Sequence, residues 1–334
     1  MHNGLIKRKT KNRRLTSAGF HFFGIKPCPK HKMYKLRKRS YAMNTFREIS
    51  QKLPSAVGEE IRQLPDAFLS EVEELRLRQG KNIRLKYHSS EKIIPHIITS
   101  EDLKHTLNNL IKFSYYAYEQ DLANGFVTIE GGHRVGVCGK AVIKNGRPAL
   151  IKEISSLNIR FAREVKGCAD SLVRELLDDS GRPVNTLIVS PPGCGKTTLI
   201  RDLARNLSNR KLQAAICDER SEIAGMYCGK ASFDLGSRTD VLDGCDKTDG
   251  IPMLIRSMAP DVIFTDEIGK KEDVRAVEQC LSSGVALITT IHGSCREEIE
   301  ASAVGELVKK NIFQTIIYLS KEKGPGTVKE VTHA

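Results

Sequence analysis

The stretch IVSPPGCGKTTLIRDLA, residues 188–204, decides the fold. Within it, Ser190 to Thr197 spell S-P-P-G-C-G-K-T, the phosphate-loop pattern G-x-x-x-x-G-K-[ST] with serine in place of the first glycine. An apolar strand precedes the loop and a helical pattern follows it, which is the context the motif requires. Backbone N–H groups from Gly193 to Thr197 stand at a helix start, where unpaired donors suit a β-phosphate. Gly193 and Gly195 permit close backbone approach, and Cys194 sits between them. Lys196 carries a point charge to the β/γ-phosphates, Thr197 offers a hydroxyl to Mg²⁺, and Thr198 extends the set. Pro191 and Pro192 stiffen the loop, so Ser190 is expected to lose ideality without losing function, provided its φ is negative.

Working outward, four further strands are expected in LQAAICDE, DVIFTDE, VALITTIH and FQTIIYLS, separated mostly by helices such as Thr198 to Ser208 and Lys271 to Ser282. Short apolar strands alternating with helices predict an α/β fold with a largely parallel sheet covered on both sides. In such sheets ligands bind at the carboxyl ends of strands. Asp266 and Glu267 end one strand, Asp218 and Glu219 a second, and Thr289, Thr290 and His292 a third. Asp266 is placed to order Mg²⁺ or its waters. Glu267 is the first choice for polarising an attacking water and Glu219 the second, because hydrolysis of a phosphoanhydride needs mainly positioning and charge stabilisation. His292 suits sensing of the γ-phosphate.

Upstream, residues 43–167 show a mixed helix and strand pattern, and the turn-rich DDSGRPVNT, 178–186, introduces the phosphate-loop part, 168–334. Thr99 and Asp102 stand at capping-box spacing before a helix bearing Leu103, Leu107, Leu110 and Ile111, expected to run toward Gly125. FVTIEGGHRVGVCG alternates around Gly131-Gly132, a hairpin signal.

Charge is distributed unevenly. The net charge of +13 comes wholly from residues 1–42, which hold 13 of the 53 Lys and Arg and no Asp or Glu; the remainder has 40 bases against 40 acids. Such an arm is expected to be disordered; it is a tether for nucleic acid or an anionic membrane surface, a targeting peptide, or dispensable, since Met43 is a second possible start. No run of 18 apolar residues suits a membrane-spanning helix. Nine cysteines without a C-x-x-C pair argue against a zinc site or disulfide framework and favour a reducing, cytoplasmic compartment.

Taken together, SPPGCGKTTLIRDLA, CDERSEIAG, RTDVLDGC, LIRSMAPDVIFTDEIG and TTIHG, preceded by GFVTIEGGHRVGVCGKAV and ISSLNIRFARE, resemble the stage III sporulation protein AA family, within the secretion and pilus ATPases of type II and type IV systems. The resemblance covers about residues 43–320 and implies a RecA-like P-loop ATPase core with a smaller α+β N-terminal domain. It implies an ATP- and Mg²⁺-dependent enzyme that energises a channel between mother cell and forespore. It further implies a hexameric ring on the mother-cell cytoplasmic face of a membrane complex. The Walker A, Asp, Walker B and His boxes then fall on 190–197, 217–223 with Glu219, 260–267 with Glu267, and 289–293 with His292. Arginines supplied by the N-terminal domain have their counterparts in Arg134 and Arg160, which a ring partner's nucleotide would meet. Arg163, Arg220, Arg238 and Arg256 are weaker candidates. Two other readings stand beside the motor: a nucleic-acid-dependent remodelling ATPase using the basic arm, and a nucleotide-gated assembly protein that hydrolyses ATP negligibly.

Overall fold

The structure, a computed structural model, describes residues 46–334, so the expectations for the arm 1–42 and for Met43 lie outside the described residues. Two large sheets organise the chain. The first has six antiparallel strands in the order β3-β2-β1-β6-β5-β4: β1 Val72–Arg78, β2 Asn82–Tyr87, β3 Ser90–Ile97, β4 Phe126–Ile129, β5 His133–Lys144 and β6 Arg147–Arg160. The helices Ser55–Arg62 and Ser100–Leu110 bury Val57, Ile61, Leu103 and Leu107 against Leu75, Leu85, Val135 and Ile159 in one core.

The capping box forms as its spacing predicts: Thr99 Oγ1 accepts from Asp102 N–H at 3.1 Å while the Asp102 carboxylate accepts from Thr99 N–H at 2.9 Å. The helix nevertheless stops at Leu110, short of the expected Gly125. Lys112 and Phe113 take φ of +51° and +57°, values that a helix cannot continue through, and two short helical turns, Tyr115–Tyr118 and Glu119–Ala123, fill the interval. The Gly131-Gly132 hairpin joins β4 to β5, both glycines having positive φ.

The second sheet has seven strands in the order β11-β8-β12-β13-β7-β14-β15. These are β7 Thr186–Ser190, β8 Ala214–Asp218, β11 Thr239–Asp243, β12 Val262–Glu267, β13 Ala286–His292, β14 Thr315–Ser320 and β15 Thr327–His333; a two-stranded ribbon, β9 Met226–Tyr227 with β10 Lys230–Ala231, stands apart. Every pairing is parallel except β14 with β15. Alternate residues of each central strand enter opposite cores. Ile188, Ile216, Phe264 and Ile288 pack under the helix Lys196–Asn209, while Leu187, Ala215, Ile263 and Leu287 pack under Lys247–Met258 and Lys271–Ser283. Burial on both faces is why these strands are apolar throughout instead of alternating.

The two sheets meet through close backbone. A Cβ on Gly225 would lie 2.9 Å from Gly132 Cα and 2.7 Å from the Phe233 ring, so the hairpin turn of the first sheet approaches the second at a place only glycine allows. His133, buried beside this turn, accepts a hydrogen bond from Ala162 N–H at 3.0 Å and fixes the segment that leaves β6. Burial, with Lys52 nearby, depresses its imidazole to about 4, so it is neutral and can accept.

Candidate active site

Parallel pairing puts the carboxyl ends of β7, β8, β12 and β13 on one edge, with His292 opposite Ser190 and Glu267 opposite Thr290 in register. A cavity of about 470 Å³ opens there, lined by Pro192, Gly193, Gly195, Lys196, Thr197, Thr198, Asp266, Glu267 and His292 of the sequence-selected set, with Arg160 from β6. Ile200, Arg220, Glu222, Ile223, Thr290 and Pro325 complete it. Ser190, Pro191, Cys194, Glu219 and Arg134 are not among its walls.

The loop conformation explains the sequence. Gly193 and Gly195 have φ of +70° and +88°, and Gly195 caps the helix Lys196–Asn209. Ser190 is outside the positive-φ region, so serine carries no backbone strain there. It is fully buried, and its carbonyl accepts from Lys196 Nζ at 3.3 Å. Cys194 is also buried, at 1% exposure.

Lys196 Nζ donates to His292 Nδ1 at 2.7 Å, and His292 Nε2 lies 3.0 Å from Glu267 Oε2. One arrangement satisfies both contacts. An ammonium can only donate, so Nδ1 accepts and the imidazole proton resides on Nε2, where it is given to the Glu267 carboxylate. Burial pushes the Lys196 ammonium below the ordinary lysine value, with Glu267 opposing.

A second cluster lies behind this row, and sequence reasoning missed its centre. Lys247, 3% exposed at the start of its helix, bonds the Glu219 carboxylate and lies 3.6 Å from Asp266 Oδ1 and 3.9 Å from Asp273 Oδ1. Burial alone pushes this lysine down; the three carboxylates outweigh it and hold Lys247 above the ordinary value. Asp273 in turn accepts from Gly269 N–H and Lys270 N–H at 2.8 and 2.9 Å, fixing the turn after Glu267. Asp266 Oδ1 is buried with no hydrogen-bond donor, and burial raises this carboxyl to about 6 against the pull of Lys247. An acceptor of that kind, lining the same cavity as Thr197, fits a hard, oxygen-seeking cation. Among the described residues no group of three or more His, Cys, Asp and Glu is arranged to hold a metal.

The loop after β8 is tied down by hydrogen bonds. The fully buried Asp218 carboxylate accepts from Glu222, Ile223 and Ala224 N–H at 2.9, 3.0 and 2.8 Å. Burial raises its carboxyl to about 7, with the Ala224 and Glu222 amides pulling the other way and Asp243 adding to the rise. Arg201 lashes the same loop to the phosphate-loop helix, donating to the carbonyls of Ile223 at 2.6 Å and Glu222 at 2.7 Å while stacking 3.6 Å over Phe233. Arg201 looks like an outward helix position in LIRDLARNL, and only its charge in an apolar context hinted otherwise.

Arg134 and Arg160 are direct cross-strand partners on β5 and β6, two like charges face to face. Arg134 is stacked 3.6 Å over Phe126 and donates to Glu222 Oε1 at 2.5 Å. It borders a neighbouring cavity of about 430 Å³ that shares Arg160, Thr197, Thr198, Arg220 and Glu222 with the first. The side chains of Arg160 and Arg220 have no hydrogen bond or ion pair among the described residues, and both residues line both cavities. Arg163 instead donates to Val72 C=O at 2.8 Å, and Arg256 to Pro252 C=O at 3.1 Å. Arg238 N–H donates to Ser208 Oγ at 2.7 Å, and neither Arg238 nor Arg256 borders either cavity.

The site thus combines a loop of phosphate-loop sequence, paired carboxylates and an imidazole at one strand edge, with Arg160 entering from the first sheet. The profile of the family described as "Sporulation stage III, protein AA" matches residues 47–334. Stage III sporulation protein AA of Bacillus subtilis (strain 168) is 39% identical over 290 residues, which is 85% of this chain and 94% of that protein. The chain belongs to the stage III sporulation protein AA family. Among solved structures, it is similar in fold to the Legionella pneumophila ATPase DotB, with a TM-score of 0.51 at 15% identity, covering 74% of this chain and 72% of DotB. The pilus retraction motor PilT, solved with bound ADP, gives a TM-score of 0.50 at 17% identity over 74% of each chain. The expected family is thus found in the family profile and the curated relative, and the likeness to DotB and PilT is one of fold.

Proposed function

We propose that this protein is a RecA-like motor ATPase that hydrolyses ATP to ADP and phosphate and passes domain movement to a membrane-embedded sporulation complex. The division follows the two sheets: an N-terminal α+β domain, 43–167, and a P-loop ATPase domain, 168–334. On this reading the loop Ser190–Thr198 binds the phosphates, with Lys196 exchanging His292 for phosphate oxygens. Thr197 and Asp266 hold Mg²⁺, which when bound neutralises charge developing on the β- and γ-oxygens. Glu267 orients the attacking water, and His292, already bonded to it, reports γ-phosphate occupancy. Glu219, tied to Lys247 and absent from the cavity wall, is the weaker choice of the two and serves to position Asp266 through their shared lysine.

Arg134 and Arg160 complete a site between subunits of a ring, proposed as hexameric. Arg134 is bonded to Glu222 of its own chain, so its reaching a partner's nucleotide requires that bond to be exchanged. Among the described residues no helix is long and apolar enough to cross a membrane, and a peripheral place on the mother-cell cytoplasmic face is proposed from the family. The observation that carries the reading is the convergence of Lys196, Asp266, Glu267 and His292 on one cavity at the carboxyl edge of the parallel sheet.

The test is ATP hydrolysis by the full chain across protein concentration. The specific rate is expected to rise with concentration, to vanish in Lys196→Ala, and to fall by about two orders of magnitude or more in Glu267→Gln with ADP binding retained. A rate that survives Lys196→Ala refutes the site; a full rate in Glu267→Gln refutes the role of that carboxylate.

A further inference from the structure

The loop between β14 and β15, KEKGPG at 321–326, lies over the phosphate loop. Gly326 N–H donates to Cys194 C=O at 2.7 Å, a backbone bond between two segments far apart in sequence. A Cβ on Gly195 would sit 3.2 Å from Gly326 N, so the same glycine that turns the phosphate loop also admits this strap. The strap itself is closed by Gly324 N–H to Lys321 C=O at 3.0 Å, and its Pro325 lines the nucleotide cavity.

Lys321 is the group left over. The residue is exposed; its Nζ lies 3.3 Å from where a Cβ on Gly193 would be, against the loop, and its ammonium has no hydrogen bond or ion pair among the described residues. β7 is flanked by β13 on one side and β14 on the other. Lys196 leans toward His292 at the end of β13, while Lys321 enters from β14, so two ammonium groups approach one phosphate loop from opposite flanks. The flank of His292 and Glu267 is the side of the bond to be broken; the flank of Lys321 is the side away from it.

We infer that Lys321 is a second phosphate-binding cation, held by the Gly-Pro-Gly strap, that grips the diphosphate part of a nucleoside di- or triphosphate. This rests on the nucleotide reading above. A grip on groups common to substrate and product contributes equally to ground state and transition state, so it sets affinity and leaves the chemical step alone. Lys321 is therefore a binding residue with a kinetic signature opposite to that of Glu267.

The test titrates the full chain and two variants with fluorescent ADP and ATP analogues, alongside steady-state hydrolysis. Lys321→Met is expected to weaken ADP and ATP alike by about tenfold, the loss of one charge-assisted contact, and to raise KM without lowering kcat. Lys323→Met makes the same charge change two residues along the strap and is expected to shift affinity by less than about twofold, because both lysines are exposed and only Lys321 is placed against Gly193. Unaltered nucleotide affinity in Lys321→Met, an equal effect from Lys323→Met, or a fall in kcat at constant affinity overturns the inference while leaving the nucleotide reading intact. Failure of the unaltered chain to bind either nucleotide overturns both.

Discussion

Replacing Lys247 by methionine removes the buried cation from a group of carboxylates. Asp266 Oδ1 at 3.6 Å and Asp273 Oδ1 at 3.9 Å lose their ion-pair partner, while Glu219 keeps the exposed Lys270 at 3.8 Å. At an effective dielectric of about 20 each of the longer pairs attracts by roughly 4 kcal/mol, most of it offset by desolvation. Removing one partner from a buried ion pair has a net effect of about 3–5 kcal/mol, because the stranded charges remain buried. For a cooperative unit of this size each kcal/mol is worth roughly 2–4 °C, so Tm is expected to fall by on the order of 10 °C. The loss should depend on pH in a definite sense. Burial already raises Asp266 to about 6 against the pull of Lys247, and without Lys247 its folded-state pKa lies still further above the unfolded one. Such groups contribute stability that is present below the unfolded value and lost as pH rises through the folded one. The deficit of Lys247→Met is thus larger at pH 8 than at pH 5. Thermal unfolding followed by circular dichroism in chelator, at both pH values, measures it. A drop of less than about 2 °C, or an equal drop at both pH values, would show that the cluster is not held together by this lysine.

Two further outcomes are expected. A double-mutant cycle of Arg134→Ala and Glu222→Ala, read by urea unfolding, should give a coupling of about 0.5–1 kcal/mol, reduced by solvent because Glu222 is 41% exposed; zero coupling would mean that the clasp between the sheets contributes nothing. Asp218→Asn should remove a pH dependence. The Asp218 carboxyl is raised from 3.8 to about 7, so its contribution is present below about 3.8 and lost as pH rises through 7. The variant's Tm deficit is therefore expected to be larger at pH 5 than at pH 8, and parallel profiles for parent and variant would contradict the assignment.

The parallel sheet was legible because its strands are buried on both faces, and LIVS, AAIC, VIFT and LITTI carry that in their composition. The edge strands were not. β11, TDVLD, is half-exposed and flanked by acids, and β15, TVKEVTH, keeps its polar residues because it has a neighbour on one side only. The phosphate loop, Asp266, Glu267 and His292 were legible because each ends a strand whose direction is fixed. Lys247 was hidden in GCDKTDG, which looks like a solvated turn: its burial depends on Glu219, Asp266 and Asp273, three residues from separate segments. Lys321 was hidden for the same reason, since only the third dimension brings a hairpin loop near residue 320 over residue 193. The helix expected to reach Gly125 failed locally, at two residues with left-handed backbone whose side chains give no hint of it.

The bond from Lys196 to His292 bears on the end of a catalytic cycle as much as its beginning. On the proposed reading, any oxyanion that comes to the phosphate loop must compete with an imidazole already in contact with the lysine. A free inorganic phosphate, lacking the nucleoside and the diphosphate grip, is a poor competitor against such an internal ligand. On that reading the histidine would act as a built-in displacer, returning to Lys196 as the cleaved phosphate loosens and so limiting product inhibition without taking part in breaking the bond.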